Sequence, residues 1–425
     1  MKEKNNHRLI VKLIKIPCIS ILIIVLLGTI GGCNPQDKYL RSQWFTDRGQ
    51  IGMNGDALEK CSLPLTIRWQ KELPGGNIFG AAPAIGGNGN IYIGHNNGTM
   101  YALDALTGNI VWEYAASSSI YNSATYVEDE KGQIKQLFFT DFSGTLYCIN
   151  AEDGTLIWRN DTPDVLQVSA TNYTAGVLYF TIELKPGGDD SILKGVDSQG
   201  NTVLEKQFNN FKINTTSAPL LGSGYIIVSD FTSGTVKVLD NNGTIEWATN
   251  EIDNIYPFDF NGIIDYGQQM HLITSTQSYP ELKAYAYVLS SGNQVWDKSL
   301  GSRTIGLALT QNRPENHLII QTLDNLYSIN KDTGDELWSV STGTAFAGSP
   351  QKQPQPVIWG DYVFVILNNT GGATIKGYQL SDGSEVWSHS IPSDYGVFTQ
   401  SGFAVIGQTL YYTDRDYIVH AFSPE

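Results

Sequence analysis

Tryptophan recurs along this chain about every 45 residues, each time closing the same phrase, and that period dictates what the chain can fold into. The phrase is a short apolar run, an Asp/Asn/Ser-rich turn, a glycine, three residues and a tryptophan. It appears as YALDALTGNIVW ending at Trp112, LYCINAEDGTLIW at Trp158, VKVLDNNGTIEW at Trp247, AYVLSSGNQVW at Trp296, LYSINKDTGDELW at Trp338 and KGYQLSDGSEVW at Trp387. A further copy, LKGVDSQGNTVL, puts Leu204 where the tryptophan belongs. Counting Leu204, successive phrases close 46, 46, 43, 49, 42 and 49 residues apart. The alternating apolar residues before the turn read as one strand, and those from glycine to tryptophan as its hairpin partner. Glycine supplies the positive φ of the turn, Asp or Asn at its start bonds its own backbone amides, and a flat tryptophan suits packing on a neighbouring sheet. Two more strand-like runs precede each phrase, as residues 81–85 and 90–94 do in the first copy. Four strands per ~45 residues, repeated with no helical periodicity, is the pattern of propeller blades.

The ends set the number of blades. The chain finishes with three strand-like runs, residues 401–406, 410–413 and 417–422, with no Gly-x-x-x-Trp strand after them. Near the start, residues 65–69 form an isolated strand ending in Trp69, which lies 43 residues before Trp112 and so in register with the array. The predicted fold is therefore all-β: an eight-bladed propeller of four-stranded antiparallel blades over residues 63–425. Its last blade is closed by residues 65–69 pairing with 417–422, which leaves no open sheet edge in the ring. A seven-bladed ring, with the Leu204 copy absorbed differently, is the alternative.

The first 32 residues belong to another economy. Lys2, Lys4, Arg8, Lys12 and Lys15 precede an apolar run over residues 16–30, and the run ends in Ile30-Gly31-Gly32-Cys33. This is shorter than the ~20 apolar residues of a membrane-spanning helix. It resembles the lipobox of bacterial lipoproteins, in which small residues before a cysteine expose the backbone to a signal peptidase and the thiol accepts a lipid. The expectation is a signal peptide over 1–32, acylation of Cys33, and a polar tether over 33–62. An uncleaved anchor with an incidental cysteine is the alternative. The full chain carries a net charge of −15, and removing this basic segment makes the remainder more acidic still. Such a body repels nucleic acid and anionic headgroups, so lipid rather than charge must hold it at a membrane. The location expected is the cell envelope, on the outer side of the cytoplasmic membrane or in the outer membrane. Of the remaining cysteines, Cys61 and Cys148 could pair in an oxidising compartment, or Cys148 could serve as a small buried residue of its strand.

The phrase Leu-Asp-x-x-Thr-Gly-x-x-x-Trp at Leu103, Asp104, Thr107, Gly108 and Trp112 resembles the PQQ-like propeller repeat. The resemblance covers roughly residues 65–425. With the lipobox, it is most similar to the BamB family of lipoproteins, components of the outer-membrane β-barrel assembly machinery. That resemblance implies a non-catalytic scaffold for protein partners in the envelope. Quinoprotein alcohol dehydrogenases share the repeat but are longer and carry an adjacent Cys-Cys pair beside the quinone. No Cys-Cys occurs here, so PQQ is not expected, and a quinone-dependent dehydrogenase stands as an alternative function.

No catalytic constellation is visible. His95, His271, His317, His389 and His420 fall one to a blade without metal-ligand spacing, so no metal is expected. There is no Gly-x-Ser-x-Gly elbow, phosphate loop or His-Glu-x-x-His. Asp104, Asp153, Asp240, Asp332 and Asp382 all sit at hairpin turns and read as turn caps. The loops that follow the tryptophan strands ring one mouth of the channel, and six carry an aromatic: Phe79, Tyr121, Phe211, Tyr256, Phe346 and Tyr395. These residues either form an exposed anchor patch for a protein, peptide or glycan, or pack beneath their loops.

Overall fold

The computed structural model describes residues 55–425 apart from 58–59, 76–81, 130, 163, 186–189, 214, 216–217, 231–232, 250–261, 267–269, 276–281, 312, 344–354, 370–371, 393–401, 415 and 417. The expected signal segment and Cys33 lie outside these residues. The repeat emerges as eight antiparallel sheets in chain order, over residues 84–115, 125–161, 165–208, 220–248, 262–299, 304–341, 357–392 and 404–424. The eighth is completed by Leu65–Glu72, which pairs with Ile418–Pro424 so that Trp69 faces Ala421 and Ile67 faces Phe422. The fold is an eight-bladed β-propeller closed by its N-terminal strand, as the phase of the tryptophans requires.

Burial falls from the second strand of a blade to the outermost. In blade 1 the second strand, Asn90–Gly94, is buried on both faces between neighbouring blades, whereas the outer strand Ile110–Ala115 alternates. A continuous apolar run marks the former and alternation the latter, which is why both kinds of strand are written into each repeat.

The Gly-x-x-x-Trp spacing has a structural reason beyond the turn. In all eight blades the ladder between third and outer strand slips by one residue just before the tryptophan position, so the preceding residue (Val111, Ile157 and Val386 among them) is bulged out of register. A bulge twists the strand and re-aims the next side chain. The bulged aliphatics stand in solvent, Val111 at 48% and Ile157 at 49% exposure. The re-aimed tryptophan faces a small residue across the ladder in most blades, such as Ala102, Cys148, Ala286 or Gly377. It then crosses to the next blade. Trp112 Nε1 donates to the Ala151 carbonyl at 3.1 Å, and its ring lies where a Cβ on Gly154 would come within 2.8 Å. Trp69, Trp158, Trp247, Trp296 and Trp338 repeat this with Ala105, Ser198, Leu289, Lys331 and Leu380. The turn glycine beneath each of these six indoles is thus required both by its left-handed backbone and by the ring on top of it. Trp387 completes the circle by donating to the Leu65 carbonyl of the closing strand.

Two details depart from the expected plan. Blade 3 splits its inner strand, so Val165–Val168 and Asn172–Thr174 both pair with Val177–Leu184. The segment assigned to the tether is engaged with the propeller at its end: Asp56–Ala57 adds in parallel to Val357–Trp359, the inner strand of blade 7. Asp56 is 2% exposed there and is gripped by Arg313, whose Nε donates to its Oδ2 at 3.1 Å. Arg313 also donates to the Ala57 and Gly360 carbonyls.

Candidate functional site

An antiparallel blade puts its first and third turns on one face of the ring, and its middle turn and the blade-to-blade connection on the other. The connection face is where the sequence places its aromatics. Phe79, Tyr256, Phe346 and Tyr395 lie outside the described residues. Tyr121 and Phe211 are described, and they part company.

Tyr121 is 39% exposed at the tip of the connection from blade 1 to blade 2. Beside it stands Phe142, 52% exposed in the middle turn of blade 2, with ring centroids 5.5 Å apart and planes at 88°. The loop that carries Tyr121 is pinned rather than draped. Ile120 is fully buried and its amide donates to the His95 carbonyl at 3.0 Å, and Ala116 N donates to Gly98 O at 2.7 Å. Asn122 Nδ2 reaches the Val168 carbonyl at 2.8 Å, and Phe142 N closes onto Ser119 O at 2.8 Å. The pair is therefore held in place before any ligand arrives, which limits the ordering cost of binding. Phe142 was not among the residues the sequence singled out. The available signal was a phenylalanine inside the turn Asp141-Phe142-Ser143-Gly144, a position that burial alone does not favour.

Phe211 is 4% exposed, and this corrects its expected place at the mouth. Its ring packs on Phe208 with centroids 5.2 Å apart, and Lys237 Nζ lies 3.6 Å from the ring centre. Burial holds the Lys237 ammonium below its ordinary range. Phe211 follows its strand by only three residues and folds back under the connection.

The turn aspartates mostly do what turn chemistry asks. Asp104 accepts from Leu106 N, Thr107 N and the Thr107 hydroxyl, and these bonds hold its carboxyl below the usual range. Asp153, Asp240 and Asp382 behave alike. Asp332 does not: Asn330 caps that turn, and the Asp332 carboxylate instead accepts from Asn316 Nδ2 at 2.8 Å.

The histidines serve different local ends. His95 is fully buried, accepts from Asn97 N at 3.0 Å, and is held down to about 4 by burial. His317 meets the Ser328 hydroxyl at 2.7 Å, and His420 lies 2.7 Å from Asp414 with Gln70 on its other nitrogen. His389 stacks on Trp387. Among the described residues, His271 forms a cluster with two carboxylates, those of Asp265 and Asp332.

The two described cysteines, Cys61 and Cys148, are free thiols and form no disulfide with each other. Cys148 is fully buried opposite Trp158, Cys61 lies against Gly360, and burial pushes both thiols up to about 12.

Comparison with known proteins agrees with the ring. No sequence among the curated proteins matches this chain. Among solved structures, BamB from Moraxella catarrhalis superposes with a TM-score of 0.59 at 17% identity, covering 85% of this chain and 100% of that one. A europium-containing methanol dehydrogenase gives 0.69 at 10% identity, covering 92% and 100%. The quinohemoprotein alcohol dehydrogenase from Comamonas testosteroni gives 0.68 at 10% identity, covering 91% and 81%. At these identities the likeness is one of fold. The family model described as outer membrane protein assembly factor BamB matches residues 66–298, 232–398 and 315–425, the propeller from its closing strand to its end. The chain belongs to that family.

Proposed function

We propose that this protein is a non-catalytic scaffold of the cell envelope, tethered by lipid at Cys33, that docks protein partners in outer-membrane protein assembly. The observation that carries the reading is the family match across the whole propeller. The Tyr121–Phe142 pair supplies a preformed contact on the connection face: two aromatics, exposed, edge to face, on pinned backbone. Aromatic anchors of this kind contribute about 2 kcal/mol each when buried at an interface. The acidic body accounts for a partner that is a protein rather than nucleic acid.

Crosslinking in intact cells tests the docking. Replacing Tyr121 and Phe142 together by Ala is expected to cut capture of the partner about tenfold or more, with the melting temperature unchanged. An undiminished crosslink profile would move the contact off this face. Metabolic labelling with a fatty acid checks the tether: wild type takes up label and Cys33→Ala does not. Unlabelled wild type would refute the anchor.

A further inference from the structure

We infer that Asp265, His271 and Asp332 form a binding site for a divalent transition-metal ion at the boundary between blades 5 and 6. Asp265 ends the inner strand of blade 5 and His271 begins the second, directly opposite it in the ladder. Asp332 comes from the third turn of blade 6, so the next blade in the ring delivers the third donor. One ligand atom from each lies within 4.8 Å of the others.

The two residues from blade 5 are buried, Asp265 at 1% and His271 at 6% exposure. Yet Asp265 Oδ2 and both ring nitrogens of His271 have no hydrogen-bond partner among the described residues. Buried polar atoms are ordinarily satisfied, and an orphaned Asp265 Oδ2 beside an imidazole that no described residue hydrogen-bonds calls for an occupant. Asp332 is exposed and closes the site toward solvent, which gives an ion a way in.

The donor set selects the class. An imidazole nitrogen with two carboxylates suits zinc, manganese or a similar first-row ion better than calcium, which prefers oxygen throughout. Around an ion of zinc's size, tetrahedral donors sit roughly 3.4 Å apart. The donors here lie within 4.8 Å of one another, and Asp332 is the exposed member, its carboxylate accepting from Asn316 Nδ2 at a surface turn. Water completes the coordination.

Lys331 is the feature that opposes a cation, and its placement limits the effect. Its ammonium donates to Asp265 Oδ1 at 2.6 Å and to the Thr310 carbonyl at 3.1 Å, and Asp265 Oδ2 stays unbonded among the described residues. Two carboxylates against one ammonium keep the pocket anionic. Lysine also acts here as a positioner, fixing the Asp265 carboxylate as the outer partners of ligating groups do in metal sites. Sequence spacing hid the arrangement, because the donors come from adjacent blades and His271 stands alone in its own.

The test uses the purified protein, stripped with a chelator and dialysed against Zn²⁺, then separately Mn²⁺, with metal measured by mass spectrometry. Wild type is expected to retain one equivalent of at least one of these ions, and Asp332→Asn to bind it at least tenfold more weakly. Asp332→Asn without metal should melt as the stripped wild type does, since that residue caps no turn. Co²⁺ added to the stripped protein should give visible absorption bands that change in His271→Gln, the mark of a lost nitrogen ligand. If wild type retains neither ion, the orphaned atoms hold water and the inference fails. If Asp332→Asn retains metal as well as wild type does, the ion sits elsewhere and the inference fails equally.

Discussion

Gly154 and Gly89 share a left-handed backbone, with φ of +73° and +82°, but not a neighbourhood. A Cβ on Gly154 would enter the Trp112 ring at 2.8 Å, whereas one on Gly89 would meet nothing within 4 Å. Gly89→Ala should therefore cost only the backbone strain of an L-residue in that region, about 1 kcal/mol. Gly154→Ala adds the displacement of an indole from the blade junction and should cost about 3 kcal/mol in all. Urea unfolding followed by tryptophan fluorescence separates the two; equal midpoints would mean that the indole yields freely. At this scale the sequence speaks clearly about turns and poorly about direction. Asp104 reads as a cap and is one, because turn bonds join residues two or three apart. Phe211 and Tyr121 both sit in a connection after an outer strand, yet one is buried and the other exposed. Nothing in the local sequence states which way a connection folds.

The same contrast holds for whole elements. The pairing of Leu65–Glu72 with Ile418–Pro424 could be deduced because an orphan strand and a three-stranded blade each lack what the other offers. The two-residue strand Asp56–Ala57 could not, since so short a segment has no periodicity to read. What holds it is charge: Asp56 is buried against the Arg313 guanidinium, and Gln311 N adds a bond to Asp56 Oδ2 at 3.0 Å. Removing Arg313 leaves a buried carboxylate uncompensated, a loss of about 3–5 kcal/mol in comparable pairs. The cheapest relief is release of the strand rather than collapse of the ring. Arg313→Ala is accordingly expected to open a new protease cut before Leu65 while the propeller persists as a resistant fragment. Loss of the whole propeller to the protease would show that this strand supports the ring itself.

For the whole molecule, one junction differs from the other seven. Leu204 fills the tryptophan place between blades 3 and 4, with its Cδ1 3.0 Å from a Cβ built on Gly243. It packs as the indoles do but brings no N–H to the facing turn of blade 4. Leu204→Trp should add that hydrogen bond and stabilise the ring by about 1 kcal/mol. In the wild type, amides flanking this junction should exchange with deuterium before those at the other blade boundaries; uniform exchange around the ring would contradict this. The number of blades was legible because it is a matter of phase along the chain. The company that Asp265 and His271 keep with Asp332 was not, because it depends on which turn of one blade faces which hairpin of the next. Sharing the last blade between the two ends of the sequence has a temporal consequence. A growing chain must carry residues 65–72 as a solitary strand until residues 418–424 arrive, so no product that stops short of them can become a finished ring. A chain that lacks residues 65–72 or 418–424 presents a bare strand edge, and the architecture thereby sets closed rings apart from open ones before any partner meets them.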